Sequence, residues 1–419
     1  MNLKTRFSLI GGGIVIFLIL TPILVLYARG FKYDFDTGKL VKTGTLVIRS
    51  EPSKAKLTLT ENSKPFSTPA TIRFLLPGDY DVKIQKDGYQ AWIKRLTINS
   101  QFVTWGSLDR DQIFLLYESP TVNSTWQADA TSVSQDNSEI TFQNNGSDYK
   151  IAVNSGEFNT LGQAIAVILP KPPTTAKVFW TNASQIWQLL QTTNTWPVSE
   201  PEFAQIREVH TNGNHTAVLI GPDLYSFDIR SMLAIDENVS GLALSGDDIW
   251  YATGSQLKHY SFSSQKTNIL ASDFPSGAQV QIIRAGSQIY AVVDGGLYQL
   301  KDKMEKLYGT VSFARWEANG QRLLFGNSNE IYLHDPIANS SALILRSLTP
   351  IAQVQLNWPT GYLFYESENK VQAAELDTRN GQNQFTLLSL PANSDFIVSS
   401  DGTKVYVITP GSIIQYLIR

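Results

Sequence analysis

Three patterns of apolar and polar positions succeed one another along the chain. The first is an unbroken apolar run, Phe7 to Tyr27 (FSLIGGGIVIFLILTPILVLY), with no charged residue. At about 1.5 Å of rise per residue, a helix of that length is about 30 Å long, one hydrocarbon core thick, so the run predicts a spanning helix. Gly11, Gly12, Gly13 and Pro22 do not exclude it, because a bilayer strongly favours the internally hydrogen-bonded helix. The second pattern is alternation: Leu46/Ile48, Ala55/Leu57/Leu59, Tyr80/Val82/Ile84, then Trp92 onward. Turns fall between these runs at Glu51-Pro52, Thr68-Pro69, Pro77-Gly78 and Asp87-Gly88, which predicts a small antiparallel β-sandwich over 44–99.

The third pattern is a repeat. From residue 100 onward a polar turn, a short apolar-aromatic strand, a second turn and another strand recur eight times, from SQDNSEITF near Ser134 to SSDGTKVYVI near Ser399. Successive units start roughly 33 to 42 residues apart, and most carry a further strand on each side, the period and strand count of propeller blades. The pattern predicts eight blades, or seven if the weakest unit, Pro172 to Leu190, is an insertion. Asp111 to Glu118 (DQIFLLYE) stands unpaired before the first unit, and the last unit, Asp395 to Arg419, lacks an outer strand. Pairing the two would close the ring and remove two exposed sheet edges.

The predicted fold class is therefore all-β with one N-terminal transmembrane helix. Its parts are a tail (1–6), a membrane-spanning signal anchor (7–27), a juxtamembrane linker (28–43), the sandwich (44–99) and the propeller (100–419). Tyr27-Ala28-Arg29-Gly30 offers no good small-x-small cleavage site, which favours an uncleaved anchor over a signal peptide.

The sandwich resembles the PEGA domain family. The matching features run in order: Gly44, Ser50-Glu51-Pro52, Ala55, Thr68-Pro69, Pro77-Gly78-Asp79-Tyr80, Gly88-Tyr89 and Trp92. The namesake tetrapeptide reads Pro52-Ser53-Lys54-Ala55, so the family's glycine turn is altered. The resemblance implies a small surface-associated β module of envelope proteins with no established catalytic role. Turns such as EANGQRLLF and SSDGTKVYV resemble those of TolB-like propellers, a likeness shared by many propellers that transfers no activity. Lys4 and Arg6 before the anchor face Arg29, Lys32, Lys39 and Lys42 after it, so local charge leans toward an external amino terminus. The short tail and the exported character implied by the resemblance favour the opposite: amino terminus inside, bulk of the chain extracytoplasmic.

Composition narrows the function classes. The net charge of -3 arises from 34 basic and 37 acidic residues with no basic block to follow a phosphate backbone, which argues against nucleic acid. Absence of cysteine excludes disulfides, thiolate catalysis and cysteine-ligated zinc. His210, His215, His259 and His334 are scattered over separate repeats without a His-Glu-x-x-His spacing, so no metal site is expected, and His210 and His215 read as turn residues. Ser245-Gly246 lies in a turn between strands, not at a nucleophile elbow. Ser134 to Ser138 and Ser399 to Gly402 depart from the Ser-x-Asp-x-Gly box. Asp36-Thr37-Gly38 has no second triplet to share a proton. Asp247-Asp248 and Asp109/Asp111 read as solvated turn pairs, short of the oxygens calcium needs.

No catalytic, cofactor or metal-binding residue is therefore assigned, and no cofactor is expected. Trp180, Trp250, Trp316 and Trp358 fall on strands or strand ends and are expected between blades. Trp196, in the long Pro-containing connection QTTNTWPVSEPEF, is the candidate partner-binding residue. The expected function is a single-pass membrane protein of the cell envelope that binds or scaffolds an envelope protein or glycan, its propeller raised on the sandwich. The alternative is a propeller hydrolase or lyase acting on an envelope glycan or peptide.

Overall fold

A computed structural model describes residues 3–163 and 206–419, apart from 36, 61–63, 109, 134–138, 145–146, 157, 212–214, 228–231, 276 and 278. The apolar run forms one helix, Leu3–Ala28, with Pro22 inside it. Its segment Gly11–Ala28 is long and apolar enough to cross a membrane, and none of it is buried against the rest of the chain. The helix stops where Gly30 takes a φ of 81°, a left-handed position that glycine adopts without steric cost, and Gly30 N–H donates to Tyr27 C=O at 3.0 Å.

The stretch expected to be a plain linker is instead a β-hairpin. Phe31–Asp34 pairs antiparallel with Lys39–Lys42, from Phe31 opposite Lys42 to Asp34 opposite Lys39. Asp34 accepts from Thr37 Oγ1 at 2.6 Å and Gly38 supplies a φ of 67°, so the Asp-Thr-Gly triplet belongs to a turn.

In the sandwich, Phe66–Ser67, Lys56–Leu59, Gly78–Gln85 and Trp92–Ile98 make a four-stranded sheet. Gly44–Ile48 and Ala70–Leu75 form part of a three-stranded sheet. Leu46, Ile48, Leu57, Ile84 and Trp92 are fully buried between the sheets, as the alternation requires. The boundary expected at residue 99 is corrected. Val103–Trp105 pairs in parallel with Thr45–Val47, and Ile113–Phe114 with Ser50–Glu51, so the module's own strands continue past it.

Beyond it, seven four-stranded antiparallel sheets lie among the described residues, six of them built from strands consecutive in sequence. The unit Pro172 to Leu190 lies outside the described residues. The seventh sheet closes the ring: Asp395–Val398, Lys404–Thr409 and Ser412–Leu417 are completed by Thr121–Gln127, from Thr121 opposite Leu417 to Gln127 opposite Ser412. Closure by an early strand was expected, but not by this one. Asp111 to Glu118 is instead a strap between the two bodies. Leu115 is buried in the sandwich core and Leu116 in the core of the closing blades, because successive side chains of an extended strand point to opposite sides. Its backbone is divided likewise: Leu115 N–H donates to Glu51 C=O at 2.8 Å, Leu116 C=O accepts from Gln90 N–H at 2.8 Å, and Tyr117 N–H donates to Ile418 C=O at 2.8 Å.

Side chains reinforce the junction. Trp92–Ile98 buries every second residue, and Lys94 lies in phase with Trp92, Leu96 and Ile98. Its fully buried ammonium meets Glu375 Oε2 at 2.9 Å and Asp377 Oδ2 at 3.3 Å, and donates to Asp377 C=O at 2.5 Å. Trp92 Nε1 donates to Glu375 Oε1 at 3.0 Å, and Arg379 Nη2 contacts Asp377 Oδ2 at 2.6 Å. Burial pushes the Asp377 carboxyl up, but the hydrogen bonds from Arg379 and the charge of Lys94 outweigh it, leaving it below the usual carboxylate range.

Candidate functional site

First strands of successive blades neighbour one another, as Val239–Ser245 does Val280–Ala285 and Ile351–Asn357 does Asp395–Val398, so these strands line the axis. Where they end, a cleft of about 430 Å³ opens between Arg315–Asn319, Gln355–Pro359 and Ser400. The third strand Lys370–Glu375 ends on this same face, where its Glu375 meets the sandwich, so the cleft opens beside the module. A second cleft of about 440 Å³, lined by Arg207, Gln279 and Gln281 among others, lies where the first strands begin, at the opposite end of the axis.

Trp358 forms part of the module-side wall and is held from two sides. Arg110, at the end of the sandwich, lays its guanidinium over the indole at 4.8 Å and donates Nε–H to Trp358 C=O at 2.8 Å. From the other side the indole sits so close to Gly320 that a Cβ there would lie 2.6 Å from its Cδ2. The residue anchoring the module thus also fixes a wall of the cleft.

Its polar groups are largely committed to holding blades together. Arg315 pairs with Glu317 at 2.6 Å and donates Nη1–H to Val354 C=O on the next inner strand at 2.9 Å. Gln355 donates to Phe396 C=O at 2.8 Å and accepts from Val398 N–H at 2.8 Å. Asn357 donates to the Ser399 and Ser400 carbonyls at 2.9 and 3.1 Å, while its own oxygen accepts from Thr360 Oγ1 at 2.7 Å. Asp401 anchors the neighbouring turn, accepting from Ser399 Oγ at 2.6 Å and Thr403 N–H at 3.0 Å. Burial raises its carboxyl, and these bonds more than compensate, lowering it. The accessible elements that remain are the parts of the half-buried Trp316 and Trp358 rings not covered by these neighbours and the exposed rim of Asn154, Asn319, Pro359 and Ser400. Aromatic rings bordered by amides and a hydroxyl offer apolar contact and neutral hydrogen bonds to a ligand.

Trp196, the candidate anchor, and Trp180 lie outside the described residues. Trp250 is buried with Arg284 of the next blade over its ring at 4.7 Å, an inter-blade position. Asp247 is an exposed turn residue that meets His215 Nε2 at 3.0 Å, whereas Asp248 is half-buried, begins a strand and meets His259 Nε2 at 2.9 Å. His210 and His215 are correspondingly not free turn residues; His210 is on the strand Ile206–Thr211 against Glu208, and His215 stacks on Phe262 at 4.0 Å between centroids. His334 is buried, its Nδ1 3.0 Å from Ser341 Oγ. Among the described residues no group of three or more His, Asp or Glu is placed to hold a metal ion.

Sequence reasoning missed Lys94, Glu375, Asp377 and Arg110. One signal was available, because a lysine on the apolar phase of an alternating strand requires a buried counter-charge.

Residues 43–111 match the PEGA domain, a span that includes the strands Val103–Trp105 and begins the strap. No curated protein matches the chain. Among solved structures the chain is similar to a streptogramin B lyase, with 10% identity over 73% of this chain and 98% of that one and a TM-score of 0.38. It is also similar to virginiamycin B lyase from Staphylococcus aureus, with 10% identity over 71% and 99% of the two chains and a TM-score of 0.39. The extracellular domain of a hybrid two-component system from B. thetaiotaomicron shows 12% identity over 71% of this chain and 39% of that one, with a TM-score of 0.38. The described sheets thus form a propeller that follows a module matching the PEGA domain, behind one long apolar helix among the described residues.

Proposed function

We propose that this is a membrane-anchored, extracytoplasmic protein of the cell envelope whose propeller binds or scaffolds an envelope protein or glycan, and that it binds rather than catalyses. The observation that carries this reading is the module-side cleft. Its wall is preorganised by Arg110, its aromatic rings and amide rim suit a polar chain with apolar patches, and the Arg315–Glu317 ion pair in it is satisfied within the protein. Preorganised donors and flat surfaces favour affinity, whereas acid–base chemistry needs a titrating group within reach of a substrate proton. Trp196 remains the proposed additional anchor on sequence grounds.

A photo-crosslinking residue placed in the full membrane-bound chain tests the site. Adducts with an envelope glycan or protein should form from position 319 and not from position 279 at the opposite end of the axis. Equal labelling from both positions would remove the cleft from the proposal. Turnover of glycan strands or envelope peptides by the purified chain, abolished by Glu317→Gln, would replace binding with catalysis.

A further inference from the structure

Between the helix and the module lies a surface that no described residue covers. Phe35 at the hairpin tip is 87% exposed, Tyr33 and Leu40 are also exposed, and Tyr33 and Phe35 meet edge to face at 5.1 Å. On the module beside it, Phe102 is 69% exposed and Val103 is exposed too. These apolar groups are fixed, not loosely strung. Thr43 donates from both N and Oγ1 to Gly30 C=O at 2.8 Å, Tyr27 stacks on Phe74 at 4.7 Å, and Lys42 Nζ donates to Gln101 Oε1 at 3.0 Å next to Phe102. Exposed cations stand among them: Arg29, Lys32 and Lys39, none in an ion pair of the described residues. Aromatic side chains interleaved with lysines, directly after an apolar helix, match the chemistry of the boundary between acyl chains and headgroups.

We propose that the hairpin Phe31–Lys42, with Phe102 and Val103, is a membrane-interface foot that seats the module on anionic lipid headgroups. Phe35, Tyr33 and Leu40 enter the acyl boundary while Arg29, Lys32 and Lys39 meet headgroup phosphates. The occupant is the bilayer because the apolar helix ends at Ala28, three residues before the hairpin begins, so a spanning helix delivers these side chains to the lipid surface. The inference rests on the proposed membrane anchoring, and the experiment separates the two.

The chain contains no cysteine, so single-cysteine variants Phe35→Cys, Ile16→Cys and Leu348→Cys each carry one nitroxide on the full-length protein. The proteins are reconstituted into vesicles of phosphatidylcholine alone or with phosphatidylglycerol, and the collision rates of each label with oxygen and with a water-soluble nickel complex are compared. The label at Ile16 reports the anchor and should be deep in the bilayer; the label at Leu348, on a fully exposed propeller turn, should be aqueous. Position 35 should read at the headgroup boundary in anionic vesicles and move outward when Lys32→Gln and Lys39→Gln are added. An aqueous label at 35 with a deep label at 16 overturns the foot and leaves the anchor standing. An aqueous label at 16 overturns the anchor and the foot with it. A boundary position at 35 that is unchanged by phosphatidylglycerol and by the lysine substitutions overturns the headgroup contact.

Discussion

Replacing Lys94 by methionine should uncouple the sandwich from the propeller. Methionine keeps most of the stem's volume, so the loss is electrostatic and not a cavity. The fully buried ammonium lies 2.9 Å from Glu375 and 3.3 Å from Asp377, and removing it leaves two carboxylates facing each other out of water. Removing one partner of a buried ion pair costs about 3 to 5 kcal/mol. The lower end applies here, because Glu375 keeps Trp92 Nε1 and Asn383 Nδ2 as donors and Asp377 keeps Arg379. With a urea dependence of about 1 kcal/mol per molar, the low end of the range and the value for a module this small, a loss of about 3 kcal/mol lowers the unfolding midpoint of the sandwich by about 3 M. Urea titration of the full-length protein, read by proteolytic release of the module, measures this. Arg95→Met is the internal control: the adjacent residue faces solvent, its pair with Asp81 is more than half exposed on both sides, and its loss should leave the midpoint in place. Adding Glu375→Gln and Asp377→Asn to Lys94→Met should recover part of the loss, since uncharged amides no longer repel. A Lys94→Met midpoint within about 0.2 M of wild type would refute the argument, because a buried uncompensated charge pair cannot be that cheap. The acid limb gives an independent reading. Asp377 is held below its unfolded value, so its contribution is complete above the unfolded range near about 4 and is lost as pH falls through the folded value. Lys94→Met removes one group that depresses it and should move acid release of the module to higher pH.

Three further outcomes follow from the same coordinates. Deleting Thr121–Gln127 should open the ring by exposing the edge of Ser412–Leu417 and abolish cooperative thermal unfolding of the propeller, whereas an unchanged calorimetric transition would contradict closure by this strand. Gly402→Ala should destabilise by about 2 kcal/mol or more, read as a lower melting temperature, because residue 402 has a φ of 64° and its new Cβ would fall 2.4 Å from Thr360 Cγ2. Trp196→Ala should weaken capture of the bound partner by about 1 kcal/mol or more with the melting temperature nearly unchanged; a collapse of folding would mark it as a core residue instead.

The extent to which sequence anticipated this molecule follows the range of the interactions involved. The helix, the alternating strands of the sandwich and the four-strand repeat are set by neighbours a few positions apart, and apolar periodicity reports them directly. The strap was misassigned because Gln112 to Tyr117 is equally apolar whichever sheet it joins. Only the division of Leu115 and Leu116 between two cores decides, and that depends on where the bodies lie. Thr121–Gln127, with five polar residues in Thr121, Asn123, Ser124, Thr125 and Gln127, carries no strong strand pattern because it is an outer strand with one face in solvent. At the cleft, Trp316 and Trp358 were recognised as repeat elements, but not as a wall held by Arg110, a residue 248 positions away from Trp358. Lys94 was legible in principle. It occupies a buried phase, and its partners Glu375 and Asp377 could not be chosen among 37 acidic residues without the fold.

The closing strand also orders events in time. Thr121–Gln127 leaves the ribosome long before Ser412–Leu417, and its Asn123 bonds to Gln415, 292 positions later. Chain-closure entropy makes that pairing late in any folding sequence, and local hairpins within each blade form first. Until Ser412–Leu417 is in place, the edges of Thr121–Gln127 and Lys404–Thr409 that it joins both stay unpaired. A single strand thus satisfies two sheet edges at once, and a chain lacking it leaves both open to pairing with other chains.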